Sequence, residues 1–417
     1  MSGRILIVGG GEAGLSIAVT LRELGHGDEI CLVGAEPFSP YQRPPLSKEF
    51  LADGGEPSVL RAPEFYAAND IRLLTGRSVV SVERRDDDDN VGGGVATLDD
   101  GTALEFTRLA LATGSIPRRL PVPGADAEGV VALRTVDDAH VIRAGLDADR
   151  DVVIVGGGFV GLEVAAAARA RGATVTVIEA TDRVLGRVAA EPMSTFVRQY
   201  HESTGIRIAT DRGVTSIGGT AGRADSVVLD DGESIPADLV VVGIGAVPAT
   251  DLATLMGVRC GPGIVVDGDA RTSDRYVVAA GDCTLQPHPH RPGELLAVES
   301  VNNAVEQGRI AAHTLLDREP PPRGVPWFWS NQGALKIQIA GVSDGHDRYV
   351  VRRHGADRLT VLYYRDGLLI AGDTVNDPRE HMAVKRALAQ RFTIDPKAAQ
   401  DTSAPLRSLV GPLVTTS

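Results

Sequence analysis

Short runs of unbroken apolar residues, each ending in a glycine turn, recur along the chain and predict buried strands rather than half-exposed ones. Ile5, Leu6, Ile7 and Val8 run into Gly9-Gly10-Gly11, where a helix begins, and a second strand over Glu29 to Val33 closes the unit. The same order returns at 151–179, DVVIVGGGFVGLEVAAAARARGATVTVIE. Three further strands end in sharp turns: LALATGSIPR at 109–118, VVVGIGAVPATDL at 240–252 and YVVAAGDC at 276–283. The stretch FSPYQRPPLSKEFL at 38–51 has neither a helical nor a strand period until its end. Its prolines make it a stiff loop that holds Arg43 and Lys48 in fixed directions. RRDDDDNVGGG at 84–94 reads as a solvated hairpin turn, and the Pro-rich REPPPRGVP at 318–326 as a link into a smaller domain.

The glycine spacing carries chemistry. Gly9, Gly11 and Gly14 form GxGxxG between strand and helix. The first permits the turn, the second lets a pyrophosphate approach the backbone, and the third lets helix and strand pack closely. The helix start adds partial positive charge and free N–H groups. Glu36 follows the next strand, placed to accept from an adenosine ribose. Gly156, Gly158 and Gly161 repeat the device, with Glu179 in the ribose position. An acid there accepts the 2′-hydroxyl of NADH and repels the phosphate of NADPH, so NADH is the expected ligand. Arg183 and Arg187 follow, read either as phosphate contacts or as solvated arginines at a helix start. Ala112-Thr113-Gly114, Gly245 in the GIGAVP turn, and Asp282 in AAGDC complete the strand ends. Asp282 is placed for a flavin's ribityl hydroxyls, with a plain helix N-cap as the alternative. Two dinucleotides used together imply redox exchange between flavin and nicotinamide.

Composition narrows the class. With 417 residues the chain predicts two or three domains. Cys31, Cys260 and Cys283 are far apart and form no CxxC, which suits a reducing cytoplasm. No signal segment or apolar run of about 18 residues is present, so no membrane partner is expected. A net charge of −13 argues against nucleic acid. His288 and His290 lack a third ligand, and no metal site is expected.

Together the two GxGxxG units, the ATG and GIGAVP turns, AAGDC and PYQRPPLSK resemble the FAD-dependent NADH:ferredoxin reductases of bacterial oxygenase systems, the putidaredoxin, rubredoxin and biphenyl dioxygenase reductase type. The resemblance continues through VPWFWSNQGALKIQIAG at 325–341 and LYYRDGLLIAGDTVNDPREHMAVKRAL at 362–388. It implies an α/β chain with two Rossmann-like dinucleotide-binding domains of the glutathione reductase type plus a smaller α/β C-terminal domain. The FAD-binding domain would be discontinuous (1–115 and 246–322), with an NADH-binding domain at 116–245 and the C-terminal domain at 323–417. The implied partner is a [2Fe–2S] ferredoxin or rubredoxin that feeds a monooxygenase or dioxygenase, and the implied state is a monomer or weak dimer.

In that family the 38–51 loop lies under the flavin, with Arg43 toward the pyrophosphate and Lys48 at the isoalloxazine edge. Glu163 resembles the acid that pairs with this lysine. Trp329, and less directly Trp327, resemble tryptophans at the flavin edge that faces the partner, and Val298-Glu299 the segment closing over the ring. Members often carry Asp at Asn331 and a larger residue followed by Asp at Gly333-Ala334, and commonly Arg shortly before Glu299, where this chain has Ala297 and Val298. Two rival classes remain on the same fold. A thiol–disulfide reductase needs a redox cysteine, which is missing near Ser39 to Arg43 and on the first helix. An interaction protein resembling apoptosis-inducing factor would bind NADH and turn over slowly.

Overall fold

A computed structural model of the chain describes residues 3–85 and 92–412; most of the acidic turn read at 84–94 lies outside the described residues. Two compact units form, one from Met1–Gln42, Pro57–Ile116 and Ala246–Gly324, the other from Arg43–Glu56, Pro117–Gly245 and Val325–Ser417.

In the first unit five parallel strands lie in the order Val277–Ala279, Arg108–Leu111, Ile5–Val8, Ile30–Gly34, Ile71–Thr75. The two glycine-adjacent strands are buried at every residue. Alternation explains how an unbroken apolar run is used. Ile5 and Ile7 pack under the helices Glu12–Glu23 and Val301–Leu315. Leu6 and Val8 point the other way, against a three-stranded antiparallel sheet of Val79–Arg84, Gly94–Leu98 and Ala103–Phe106.

The second unit repeats this plan. Its parallel sheet runs Arg207–Ala209, Thr174–Ile178, Asp151–Val155, Leu239–Val242, Val130–Ala132. Val153, Val155, Val240 and Val242 face another antiparallel three-stranded sheet, Val214–Thr220, Arg223–Leu229 and Ser234–Pro236.

The loop at 38–51 is more ordered than its sequence suggested: Pro44–Ser47 is a 3₁₀ turn and Glu49–Asp53 a short helix. Prolines at the first turn preset the backbone angle that a helix needs, so they start structure here rather than only breaking it.

Beyond residue 325 five strands form an antiparallel sheet, ordered Trp327–Gln332, Leu335–Gly341, Leu368–Val375, Arg358–Arg365, Arg348–His354, with the helix Pro378–Ala389 against it. Helix and strands are segregated rather than alternating, a finer picture than the α/β class expected. Arg352 is completely buried, donating to Glu380 Oε1 and to the carbonyls of Ala399, Asp401 and Ala404. Asp373 is also fully buried; Tyr363 donates to its Oδ2 while its Oδ1 has no partner.

Burial raises the Asp373 carboxyl to about 7, against an ordinary value near 3.8. The folded state therefore holds this proton where the unfolded chain has lost it. Stability should fall as pH rises from about 4 to about 7, by at most about 1.4 kcal/mol per pH unit, and level off above. Asp373→Asn should remove that slope and raise stability above pH 7. Urea midpoints at pH 5 and pH 8 would test this, and parallel pH dependence in the two proteins would refute it.

Candidate functional site

The first cradle sits at the carboxyl ends of the parallel strands, where such sheets bind ligands. Gly9 has φ of 122°, and a Cβ there would lie 2.0 Å from the Ala112 carbonyl oxygen; one at Gly14 would lie 2.0 Å from the Gly9 oxygen. A Cβ at Gly11 would meet nothing within 4 Å. The outer glycines are thus spent on close packing, while the middle one faces open space at a helix N-terminus, a fit for a dinucleotide pyrophosphate.

The adjoining residues are held from below. Ala112 N donates to Val8 O (2.8 Å), Thr113 Oγ1 to Ala249 O (2.6 Å), and Ala249 N to Gly114 O (2.9 Å). Glu36 receives the Tyr41 hydroxyl. Asp282 is half-buried beside Gly281, whose N–H donates to Gln307 Oε1 at 2.8 Å. A strand, Thr284–Pro287, follows Asp282, so the helix N-cap alternative does not apply. Glu299 is exposed; Ser300 caps the helix Val301–Leu315 and Asn303 Nδ2 donates to Val298 O at 2.9 Å.

The second cradle copies the first. A Cβ at Gly156 would lie 2.4 Å from Gly243 O, one at Gly161 2.2 Å from Gly156 O, and Gly158 is again open. Glu179 Oε2 accepts from Gly157 N (2.8 Å), and its Oε1 from Thr181 N (2.9 Å) and Oγ1 (2.7 Å), so its carboxylate is held in one direction. Arg183 corrects the solvated-helix reading. Its guanidinium donates to the Ala189 and Gly186 carbonyls and to Ser194 Oγ, bracing the loop before the helix Glu191–Ser203. Arg187 is exposed, with its guanidinium beside Gly245; Arg118, which sequence reasoning did not single out, flanks the same glycine.

Lys48 and Glu163 meet in this unit. Lys48 Nζ lies 2.8 Å from Glu163 Oε2, and the side chains are only 10% and 3% exposed. Ser47 Oγ donates to the same oxygen and Ser330 Oγ to Oε1. The ammonium also donates to Pro44 O at 3.0 Å, and Arg43 Nη1 to Arg134 O at 2.7 Å.

Strand alternation divides Trp327–Gln332. Phe328 and Ser330 face the helix Phe159–Ala170, with the Phe328 and Phe159 rings 4.8 Å apart. Trp327 and Trp329 project from the other face, half-buried and stacked at 5.3 Å, with Lys385 Nζ 4.5 Å from the Trp327 ring. Gly333 and Ala334 have a partner within the chain. A Cβ at Gly333 would lie 2.4 Å from the Tyr200 hydroxyl, to which Ala334 N donates at 2.6 Å.

Ser47, Ser330 and Gln332 carried no signal of their own in the sequence. Ser330 and Gln332 share one face of a strand, but their partners lie far away in the chain.

The three cysteines form no disulfide. Cys31 and Cys283 are buried, and burial pushes both up, Cys31 to about 11. His288 Nδ1 accepts from the His290 backbone N–H within their loop. His354, Asp377 and Glu380 approach a metal-binding arrangement, yet Glu380 Oε1 already accepts from Arg352, and the Arg358 guanidinium lies 3.8 Å from Asp377. Among the described residues no helix is long and apolar enough to cross a membrane.

Two cradles of one design in a single chain define an oxidoreductase that handles two dinucleotides. Residues 3–308 match the family described as Pyridine nucleotide-disulphide oxidoreductase, and residues 327–410 match Reductase C-terminal, so the chain belongs to this family of reductases. Rhodocoxin reductase of Rhodococcus erythropolis is 42% identical, over 97% of this chain and 93% of that one. A putidaredoxin reductase, solved as a covalent complex with putidaredoxin, superposes with a TM-score of 0.91 at 37% identity, over 97% of both chains. The ferredoxin reductase for the CYP199A2 system from Rhodopseudomonas palustris gives 0.91 at 38%, over 98% of this chain and all of that one.

Removing one member of a buried ion pair leaves the other charge unmatched. Glu163→Ala should lower the unfolding free energy by about 3 kcal/mol, while Lys48→Met combined with Glu163→Leu should recover most of the loss. Denaturant unfolding of the three proteins would measure this; a single-variant cost below about 1 kcal/mol would contradict the assignment.

Proposed function

We propose that this protein is an FAD-dependent reductase that takes hydride from NADH and passes electrons singly to a [2Fe–2S] ferredoxin or a rubredoxin serving an oxygenase. The observation that carries the reading is the buried Lys48–Glu163 pair on a proline-held turn, in a chain with two pyrophosphate cradles and no disulfide. The similarity to rhodocoxin reductase, putidaredoxin reductase and a ferredoxin reductase agrees with it.

FAD supplies the exchange between two-electron and one-electron transfer. The residues 1–115 and 246–322 would form its domain, 116–245 the NADH domain and 323–417 the C-terminal domain. In the first, Gly9, Gly11 and Gly14 receive the pyrophosphate, Glu36 the adenosine ribose, and Asp282 the ribityl hydroxyls. Ala112, Thr113 and Gly114 form the floor, and Val298 and Glu299 border the ring. Arg43 stands toward the pyrophosphate. Lys48 would place a positive charge beside the flavin, and Glu163 would orient it. Trp329 covers the edge from which electrons leave.

For NADH, Gly156, Gly158 and Gly161 admit the pyrophosphate, Arg187 and Gly245 border it, and Glu179 binds the ribose. The three unpaired thiols and the use of NADH suit a cytoplasmic setting.

Purified FAD-loaded protein with NADH should reduce cytochrome c rapidly only when a bacterial [2Fe–2S] ferredoxin is added. If the flavin is reduced quickly yet no ferredoxin or rubredoxin in a small panel couples, the acceptor assignment fails while the hydride step stands.

Because Glu179 is locked with its carboxylate facing the cradle, NADH should reduce the flavin at least about tenfold more efficiently than NADPH, and Glu179→Ala should narrow the ratio. Equal kcat/KM for the two nucleotides in the unaltered protein would refute this role.

A further inference from the structure

Behind Glu163 runs a line of buried polar groups for which hydride transfer itself has no use. Ser330 Oγ donates to Glu163 Oε1 at 2.5 Å, Gln332 Nε2 donates to Ser330 Oγ at 3.1 Å, and Gln332 Oε1 lies 2.8 Å from His201 Nε2. Ser330, Gln332 and His201 are each completely buried.

The direction of the line follows from proton count. A serine hydroxyl has one proton, and here it goes to the carboxylate, which can only accept. Ser330 must then accept from its other neighbour, so the amide nitrogen of Gln332 faces it. The amide oxygen is left facing His201, which must donate from Nε2. Nε2 therefore carries a proton, and because the buried Nδ1 has no partner to take a second one, the ring is neutral there and Nδ1 is a bare acceptor. Burial lowers the His201 pKa, in keeping with the neutral ring.

A filler role would be served more cheaply by apolar side chains, because buried polar groups cost stability wherever one is left unmatched. The geometry points to a different use. We propose that Ser330, Gln332 and His201 are positioning residues, a one-way line of donors that holds the Glu163 carboxylate against Lys48 and so fixes where the ammonium stands. The proposal rests on the reading that Lys48 acts on the flavin.

The test uses FAD-loaded protein mixed rapidly with NADH, with Ser330→Ala and Gln332→Leu each made in the unaltered chain and in a Lys48→Ala background. Ser330→Ala should slow flavin reduction about tenfold in the unaltered chain, the scale of one hydrogen bond to a charged group, Gln332→Leu about fivefold, the scale of a neutral one, and each by less than about twofold when Lys48 is gone. Ser330→Thr, which keeps the hydroxyl, should restore the rate. No slowing in the unaltered chain, or equal slowing in both backgrounds, would overturn the proposal. A second readout needs no polar group removed. In protein labelled with ¹⁵N-histidine, His201 should be neutral and protonated at Nε2 at pH 7, and an Nδ1–H tautomer or an imidazolium would overturn the line's direction. Lys48→Ala protein reduced at the unaltered rate is a separate result: it removes the flavin role of Lys48 and with it the purpose of the line.

Discussion

A carboxylate almost wholly removed from water has to be met by donors, and Glu163 imposes that demand on the second unit. Four side-chain donors are in place or in line: Lys48 and Ser47 from the proline-held turn, Ser330 from a strand nearly 170 residues further on, and Gln332 behind it. The turn, the helix Phe159–Ala170 and the strand Trp327–Gln332 are therefore fixed around one charge. The same helix begins at the open Gly158 and packs through Gly161. One rigid element thus sets both the nucleotide cradle and the acid two residues beyond its last glycine, so a nucleotide bound at the helix start lies at a fixed separation from the ion pair.

The duplication makes clear how one position has been put to two uses. Counting two residues past the third glycine of the first cradle reaches Ser16, whose hydroxyl donates to Val305 O at 2.7 Å and ties the helix Glu12–Glu23 to the helix Val301–Leu315. At the matching place in the second cradle stands Glu163. In the first copy that position joins two helices through a neutral contact; in the second it carries a charge whose burial demands partners from distant segments. The shared backbone plan survives both because it depends on the outer glycines of each cradle, where any Cβ would strike a carbonyl oxygen, and not on the residue that follows them.

This difference also explains what could be read from the sequence. The glycine motifs were legible because close backbone approach admits almost no other residue, and the unbroken apolar runs because strands covered on both faces leave no polar position. Glu179 was legible by its place at a strand end. By contrast, the direction in which its carboxylate is held depends on Gly157 and Thr181 and only appears in three dimensions. Pro44 and Pro45 signalled rigidity but not the 3₁₀ turn, since the same restriction of the backbone suits a stiff loop and a first helical turn. Pairing of Lys48 with Glu163 came from family likeness, not from spacing. Its extension to His201 could not have been read locally, because Gln332 and His201 are 131 residues apart. The antiparallel order of the last sheet was similarly hidden, as alternation along a strand does not say which neighbour it pairs with.

Gly333 and Ala334 fit the same logic. At Gly333 a side chain would strike the Tyr200 hydroxyl, and Tyr200 instead takes the Ala334 N–H. The next residue on that helix, His201, donates from Nε2 to the amide oxygen of Gln332. Adjacent residues of Glu191–Ser203 therefore grip the hairpin at two points, one at its tip and one in its buried strand. A larger residue at 333 would push the tip away from Tyr200, and because Gln332 is its immediate neighbour, the displacement would be felt along Ser330 to the carboxylate. The small residues at 333 and 334 are best understood as the counterpart of Tyr200, and the change they make to the exposed edge as a consequence of how the interior is tied.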